Sequence, residues 1–343
     1  MTTHHTLSIV VCSYNGATKL GDCLDALARQ TLLVDVLVID DGSTDGTDLV
    51  AQQHGFPVIR HEKNLGLSAA RNTGLRNAGT SVVAFCDDDC IPPANWTERL
   101  FAAWTDSPDV AVLGGLVVVD NPVSFTQRYL VYRHPLVPLE IELAHSPSVW
   151  YRFARQFRPP RFVGASAFPV YSVVGANMSV NRARTLEAGG FDETVLFGEG
   201  EEAVLSELQR GLFGEQSVVV DPRVVMGHRF DREMSKTWRR SFVYGRGAAE
   251  RWQKHGGLPS LPIVGPVAIV GTALLAPFSW PLGLSVGMLA LGTPWVNWIS
   301  LPNTKLDATT ATYPLVALVD DLAGSLGFLR GISGKLSGKW NFP

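Results

Sequence analysis

The sequence predicts an α/β fold: a mostly parallel sheet flanked by helices, with an apolar C-terminal region appended. Three observations carry this. Short apolar runs alternate with helical patterns from Leu7 through Phe85. Each run ends in a cluster of polar residues. Late in the chain, His255 to Thr304 holds no Asp, Glu, Lys or Arg.

Leu7 to Val11 reads as a buried strand, and Leu20, Leu24 and Leu27 mark a helix over Leu20–Gln30. Val34–Ile39 is the next strand and Thr47–His54 the next helix. Pro57–Ile59 is a short strand, Ser68–Ala78 a helix, and Val82–Phe85 a further strand. Strands that alternate with helices imply βαβ units and a parallel sheet covered on both faces. Prolines interrupt the pattern from Asp120 to Phe168, which reads as a long excursion. Sheet character resumes at Val170–Asn181, a helix at Glu202–Arg210, and a late strand at Val218–Val220.

At 343 residues the chain can bury a sizeable core. A net charge of −3 gives no electrostatic case for nucleic acid. The four cysteines form no CxxC pair, which points to reduced, buried thiols. The first residues lack the basic region of a signal peptide, so the N-terminal part is expected to remain in the cytoplasm.

In such sheets the ligand lies beyond the carboxyl ends of the strands. The first strand ends in Ser13-Tyr14-Asn15-Gly16, and the second in Asp40-Asp41-Gly42-Ser43. Locally the latter is a turn and helix cap. Its carboxylates also stand where a base or ribose would be met. The fourth strand runs into Asp87-Asp88-Asp89. Three adjacent carboxylates at a buried strand end repel one another. A hard cation, Mg²⁺ or Mn²⁺, relieves that conflict and suits a diphosphate. Arg71 falls on the first turn of its helix near the same edge, where spacing alone also allows a solvated arginine.

Val11–Asn15, Ile39–Asp45, Asn64–Gly74 and Phe85–Asp89, followed by Gly175–Met178 and Gly189–Glu193, resemble the family 2 glycosyltransferases with the GT-A fold. The resemblance covers roughly residues 6 to 230 and rests on several motifs in order. It implies a nucleotide-binding set of Ser13, Tyr14, Asn15, Asp40, Asp41, Arg71, Asp87 and Asp88. It implies metal contacts from Asp87, Asp89 and His228. The family's catalytic Asp corresponds here to Glu202, one methylene longer, with Glu201 as the alternative base. The N-terminal position of Glu202 in its helix favours its ionised form.

Leu261–Phe278 and Leu282–Leu301 are long enough for two bilayer crossings. The basic stretch from Arg229 to Lys254 before them puts both flanks in the cytoplasm by the positive-inside rule. Tyr313–Leu329 reads as interfacial or re-entrant because it contains Asp320 and Asp321. Trp150–Arg158 interleaves aromatics and arginines, a pattern of an ordinary amphipathic helix and also of a lipid-surface segment.

The expected organisation is a catalytic domain over 1–228, a basic neck over 229–260 and a membrane anchor over 261–343, with the catalytic domain on the cytoplasmic face. The expected activity is inverting transfer from a nucleotide-diphosphate sugar to a saccharide or lipid-linked hydroxyl, in envelope or exopolysaccharide synthesis. A nucleotidyltransferase would also combine sheet, acids and metal, but should place a basic residue in a Gly-rich loop after the first strand. A membrane scaffold without catalysis would not need the acidic triplet.

Overall fold

The computed structural model describes residues 6–133, 136–141, 166–195, 200–255, 272–275, 277–281 and 308–336. Two compact units emerge: Met1–Asn121 with Pro135–Ile141 and Phe162–Phe230, and Pro122–His134 with Glu142–Arg161 and Asp231–Pro343.

In the first unit, β1 (Leu7–Ser13), β2 (Asp35–Asp40), β3 (Val58–Arg60) and β4 (Val82–Asp87) alternate with α1 (Ala17–Ala28), α2 (Thr47–Gln53) and α3 (Leu67–Asn77). The chain continues through β5 (Cys90–Ile91), α4 (Trp96–Asp106), β6 (Val112–Val119), β7 (Phe168–Pro169), β8 (Met178–Asn181), α6 (Arg182–Glu187), α7 (Glu201–Phe213) and β9 (Val218–His228). Every residue of β1 is buried. That is why its sequence is a continuous apolar run and not an alternating one.

The described strands form one sheet in the order β3-β2-β1-β4-β8-β6-β9-β5, with β7 beside β9. The expected mostly parallel sheet is a mixed one. β1–β2, β1–β4, β2–β3 and β6–β9 pair parallel. β4–β8, β6–β8, β5–β9 and β7–β9 pair antiparallel. The βαβ pattern ends at β4, and β8 then enters beside it in the opposite direction.

One apolar cluster lies under α1 and α4 with Leu20, Leu24, Trp96 and Trp104, and a second holds Ala70, Leu75, Phe191 and Leu205. The chain turns from β1 to β2 on one side and crosses to β4 on the other, which opens a crevice at the carboxyl ends. Register places Ser13 opposite Asp40 and Cys12 opposite Asp87, level with that crevice.

The second unit contains α5 (Phe125–Arg133), α8 (Met234–His255) and α9 (Tyr313–Leu336). α8 carries most of the basic stretch from Arg229 to Lys254 on one continuous helix. It meets α9 where Gly245 faces Gly324, so closely that a Cβ on Gly245 would overlap the Gly324 carbonyl. Asp320 is buried and accepts hydrogen bonds from Tyr129 and Ser241, while Arg133 pairs with Asp321. The two acids that suggested an interfacial or re-entrant segment are contacts of a packed helix. Among the described residues no helix is long and apolar enough to cross a membrane. The expected spans Leu261–Phe278 and Leu282–Leu301 lie mostly outside the described residues, as does Trp150–Arg158.

Candidate active site

The loops after β1 and β2 are stitched together. Asn15 donates its N–H to the Ser43 hydroxyl at 2.8 Å and accepts from the Thr44 N–H at 2.9 Å. Tyr14, between them, is half exposed. Asp40 is fully buried. One of its oxygens accepts from the Ser43 N–H, and the other, Oδ2, accepts no hydrogen bond but lies 3.5 Å from Arg60 Nε. Asp41 has a different task. It accepts from the N–H groups of Leu65 and Gly66 and lies 2.7 Å from His61 Nδ1, so it anchors the loop before α3.

Asp87, Asp88 and Asp89 follow one another off β4, and each meets a different partner. Asp87 Oδ1 is 3.6 Å from Arg71. Asp88 accepts from the Ser13 hydroxyl at 2.5 Å. Asp89 is 3.2 Å from both Lys19 Nζ and His228 Nε2. Gly16 is required here, because a Cβ would overlap both the Asp88 carboxylate and the Ser13 hydroxyl. Burial pushes Asp88 up to about 7, with Asp89 as the next cause. Burial also raises Asp87, against the opposing pull of Arg71. The repulsion expected within the triplet is therefore present.

His228 and Asp89 meet because β5 pairs antiparallel with β9, with Cys90 opposite His228. Asp89, Cys90 and His228 offer ligand atoms within 4.8 Å of one another. A carboxylate oxygen and an imidazole nitrogen suit a divalent cation. Cys90 is the poorest fit of the three to Mg²⁺ or Mn²⁺, which suit oxygen ligands over sulfur, and its thiol donates to the Ala176 carbonyl. Asp89 and His228 are thus the fitting pair, with Asp87 outside the 4.8 Å group.

Arg71 is 1% exposed. It donates to Glu201 Oε1 at 2.6 Å, so α3 and the start of α7 are joined through the site. Glu201 Oε2 and Glu202 Oε2 are buried without hydrogen-bond partners. The expectation that Glu202 is kept ionised is reversed. Burial, then Glu201, raises its pKa well above the usual range. A helix terminus contributes roughly 0.3–1 kcal/mol at exposed positions, which desolvation of a carboxylate exceeds.

Sequence reasoning missed Lys19, the Arg71–Glu201 pair and the roles of Asn72 and Asn177. Lys19 was detectable: it lies on the first turn after β1, the edge that holds the triplet. Asn72 bonds the backbone of Phe191 in both directions and so fixes the Gly190–Phe191 turn against α3. Asn177 donates to Leu116 and Val224 carbonyls and accepts from Trp96, which ties the sheet together beneath the site.

Residues 8–166 match the sequence model of Glycosyl transferase family 2. The chain is 27% identical over 294 residues to the pre-mycofactocin glycosyltransferase of Mycobacterium tuberculosis, covering 84% of this chain and 55% of that one. It is 36% identical over 133 residues to glycosyltransferase AglE of Haloferax volcanii, covering 36% of this chain and 43% of that one. The chain thus spans about half the length of these relatives. The mannosyltransferase PcManGT of Pyrobaculum calidifontis, solved with GDP-Man and Mn²⁺, superposes with a TM-score of 0.56 at 17% identity. The alignment covers 97% of this chain and 89% of that one, and shows a shared GT-A-like mixed α/β fold. Residues 8–166 are thus similar to the family 2 glycosyltransferases, and the longer alignments are to proteins named as glycosyltransferases.

Proposed function

We propose that this protein is a metal-dependent glycosyltransferase of glycan biosynthesis, moving a sugar from a nucleoside-diphosphate sugar to a hydroxyl acceptor. The surplus of carboxylates at the β1–β4 crevice carries the reading: three consecutive acids at a buried strand end, with Asp89 beside His228. The donor chemistry there fits Mn²⁺ or Mg²⁺, which when bound would neutralise the leaving diphosphate. Lys19 adds a cation at the same edge. Asp40 Oδ2 accepts no hydrogen bond and faces Arg60 Nε at 3.5 Å, an acceptor that suits a nucleobase N–H.

In the reaction the acceptor oxygen bonds to the anomeric carbon. The bond from that carbon to the diphosphate oxygen breaks, and the diphosphate leaves with the electron pair. Glu202, once ionised, takes the acceptor's proton. A raised pKa makes it the stronger base in that form. A single displacement of this kind inverts the anomeric centre.

The test is a screen of UDP- and GDP-hexoses for hydrolysis that requires Mn²⁺. Nucleoside diphosphate plus free sugar supports the transferase. Nucleoside monophosphate plus sugar phosphate contradicts it, and matches the phosphate chemistry of a nucleotidyltransferase, for which Lys19 supplies the basic residue near the first strand.

A finer reading places the enzyme at the cytoplasmic face of a membrane, with lipid contact and a saccharide or lipid-linked acceptor. Leu315, Val319, Leu326 and Leu329 recur at helical spacing on α9 and are all exposed. The packed glycines occupy the opposite side of the same helix. Trp238 and Trp252 on the basic helix α8 are exposed as well. Flotation with anionic vesicles should carry the full chain upward. Leu326→Asp with Leu329→Asp should abolish it, and unchanged flotation would remove α9 from the reading.

A further inference from the structure

We propose that Arg71 is a positioning residue: it ties the acceptor-side helix α7 to Asp87 and does not touch the donor. The proposal rests on the glycosyltransferase reading of the same site.

Arg71 has no open face to offer a nucleotide. It is 1% exposed, and its guanidinium lies 5.8 Å from the Phe85 ring centre and 5.6 Å from that of Phe191. Those two rings meet edge-on at 5.3 Å. Gly175 closes a further side, where a Cβ would come within 2.7 Å of Nη2.

The two ends of the guanidinium are engaged by different parts of the site. Nη1 donates to Glu201 at 2.6 Å, and Nη2 lies 3.6 Å from Asp87. Glu201 is the first residue of α7, and Glu202 follows it. Holding Glu201 therefore fixes the first turn and, with it, the direction of Glu202. Asp87 ends the strand that leads into the acidic triplet. A planar fork can hold two carboxylates at once, whereas a lysine ammonium is a single point charge on a flexible stem. The link also separates the roles of two neighbouring acids. Glu201 is occupied by Arg71, while Glu202 has no ion pair among the described residues.

The experiment compares wild type, Arg71→Lys, Glu201→Gln and the double variant, all as the full chain. Calorimetric titration with UDP and GDP in Mn²⁺ gives Kd for whichever binds. Rates are taken at saturating donor from the UDP- and GDP-hexose panel. Amide exchange across residues 200–204 reports the first turn of α7. Kd should stay within about threefold of wild type, while kcat falls about tenfold in each single variant, because an interaction used in the transition state is lost. The double variant should be no slower than the slower single variant, since both substitutions break one link. Exchange at 200–204 should quicken in all three variants.

A tenfold rise in Kd with unchanged kcat in Arg71→Lys would make Arg71 a donor ligand and overturn the proposal. So would a kcat unchanged in Glu201→Gln, which keeps the shape of the side chain but removes the charge that pairs with Arg71, and which decides the matter alone if Arg71→Lys does not fold. Wild type that binds neither UDP nor GDP with Mn²⁺ would instead overturn the transferase reading, before any variant is compared.

Discussion

Asp320 and Asp321 on α9, and Asp87 to Asp89 at the end of β4, are both runs of adjacent acids partly withdrawn from water. Their surroundings differ. Both oxygens of Asp320 are matched, one by Ser241 and the other by Tyr129, and Arg133 pairs with Asp321. Around the triplet, Asp88 is driven toward its neutral form, and nearby Asp40, Glu201 and Glu202 each keep one buried oxygen that accepts no hydrogen bond. A buried acid that finds its partners inside the protein is part of the architecture. A cluster of acids that leaves acceptors unfilled is built for something that arrives later.

The largest test of that distinction is at Glu202. Glu202→Gln should slow transfer by ~10²–10⁴-fold, the usual worth of general base catalysis. Binding of UDP or GDP with Mn²⁺ should barely change in calorimetry. If Glu201→Gln were the dead variant and Glu202→Gln near normal, the base would be the other carboxylate. In the second unit the effect should fall on stability. Arg133→Leu leaves Asp321 without its partner and Asp320 with its two hydroxyl donors alone, and breaking such a pair costs about 3–5 kcal/mol. Urea unfolding should show that loss, and an unchanged midpoint would mean the network is not what holds α5 to α9.

The smallest effect has the opposite sign. Asp88, pushed up to about 7, binds its proton more tightly folded than unfolded. The folded protein then holds the extra proton from the ordinary aspartate range, about 3.9, up to that value. Stability from this group is therefore present at low pH, falls as pH rises through the window, and levels off above it. Asp88→Asn should flatten that slope and raise Tm by about 1–2 °C at pH 8 in chelator, the shift that ~1 kcal/mol gives in a chain longer than about 250 residues. A lower Tm at pH 8 would show that Asp88 is matched like Asp320.

Much of the sheet edge was legible in the sequence, because buried strands are short apolar runs and the triplet could hardly be structural. The partners were not. Arg71 and Glu201 stand 130 residues apart, and only the folded chain brings them together. Asp41 looks like Asp40 in sequence, yet the backbone N–H groups of the loop before α3 claim it. Glu202 was misjudged because position in a helix is visible in sequence and burial is not. The acids of α9 show the same limit, since the partners they meet, Tyr129, Arg133 and Ser241, lie far from them in sequence.

The most direct test of the unfilled acidic site is calorimetric titration of wild type and Asp89→Ala with UDP and GDP, each in Mn²⁺ and in chelator. The account predicts binding by wild type in Mn²⁺, loss of that binding in chelator, and loss in Asp89→Ala under both conditions. Equal affinity of the wild type with and without metal, or full affinity in Asp89→Ala, would contradict it.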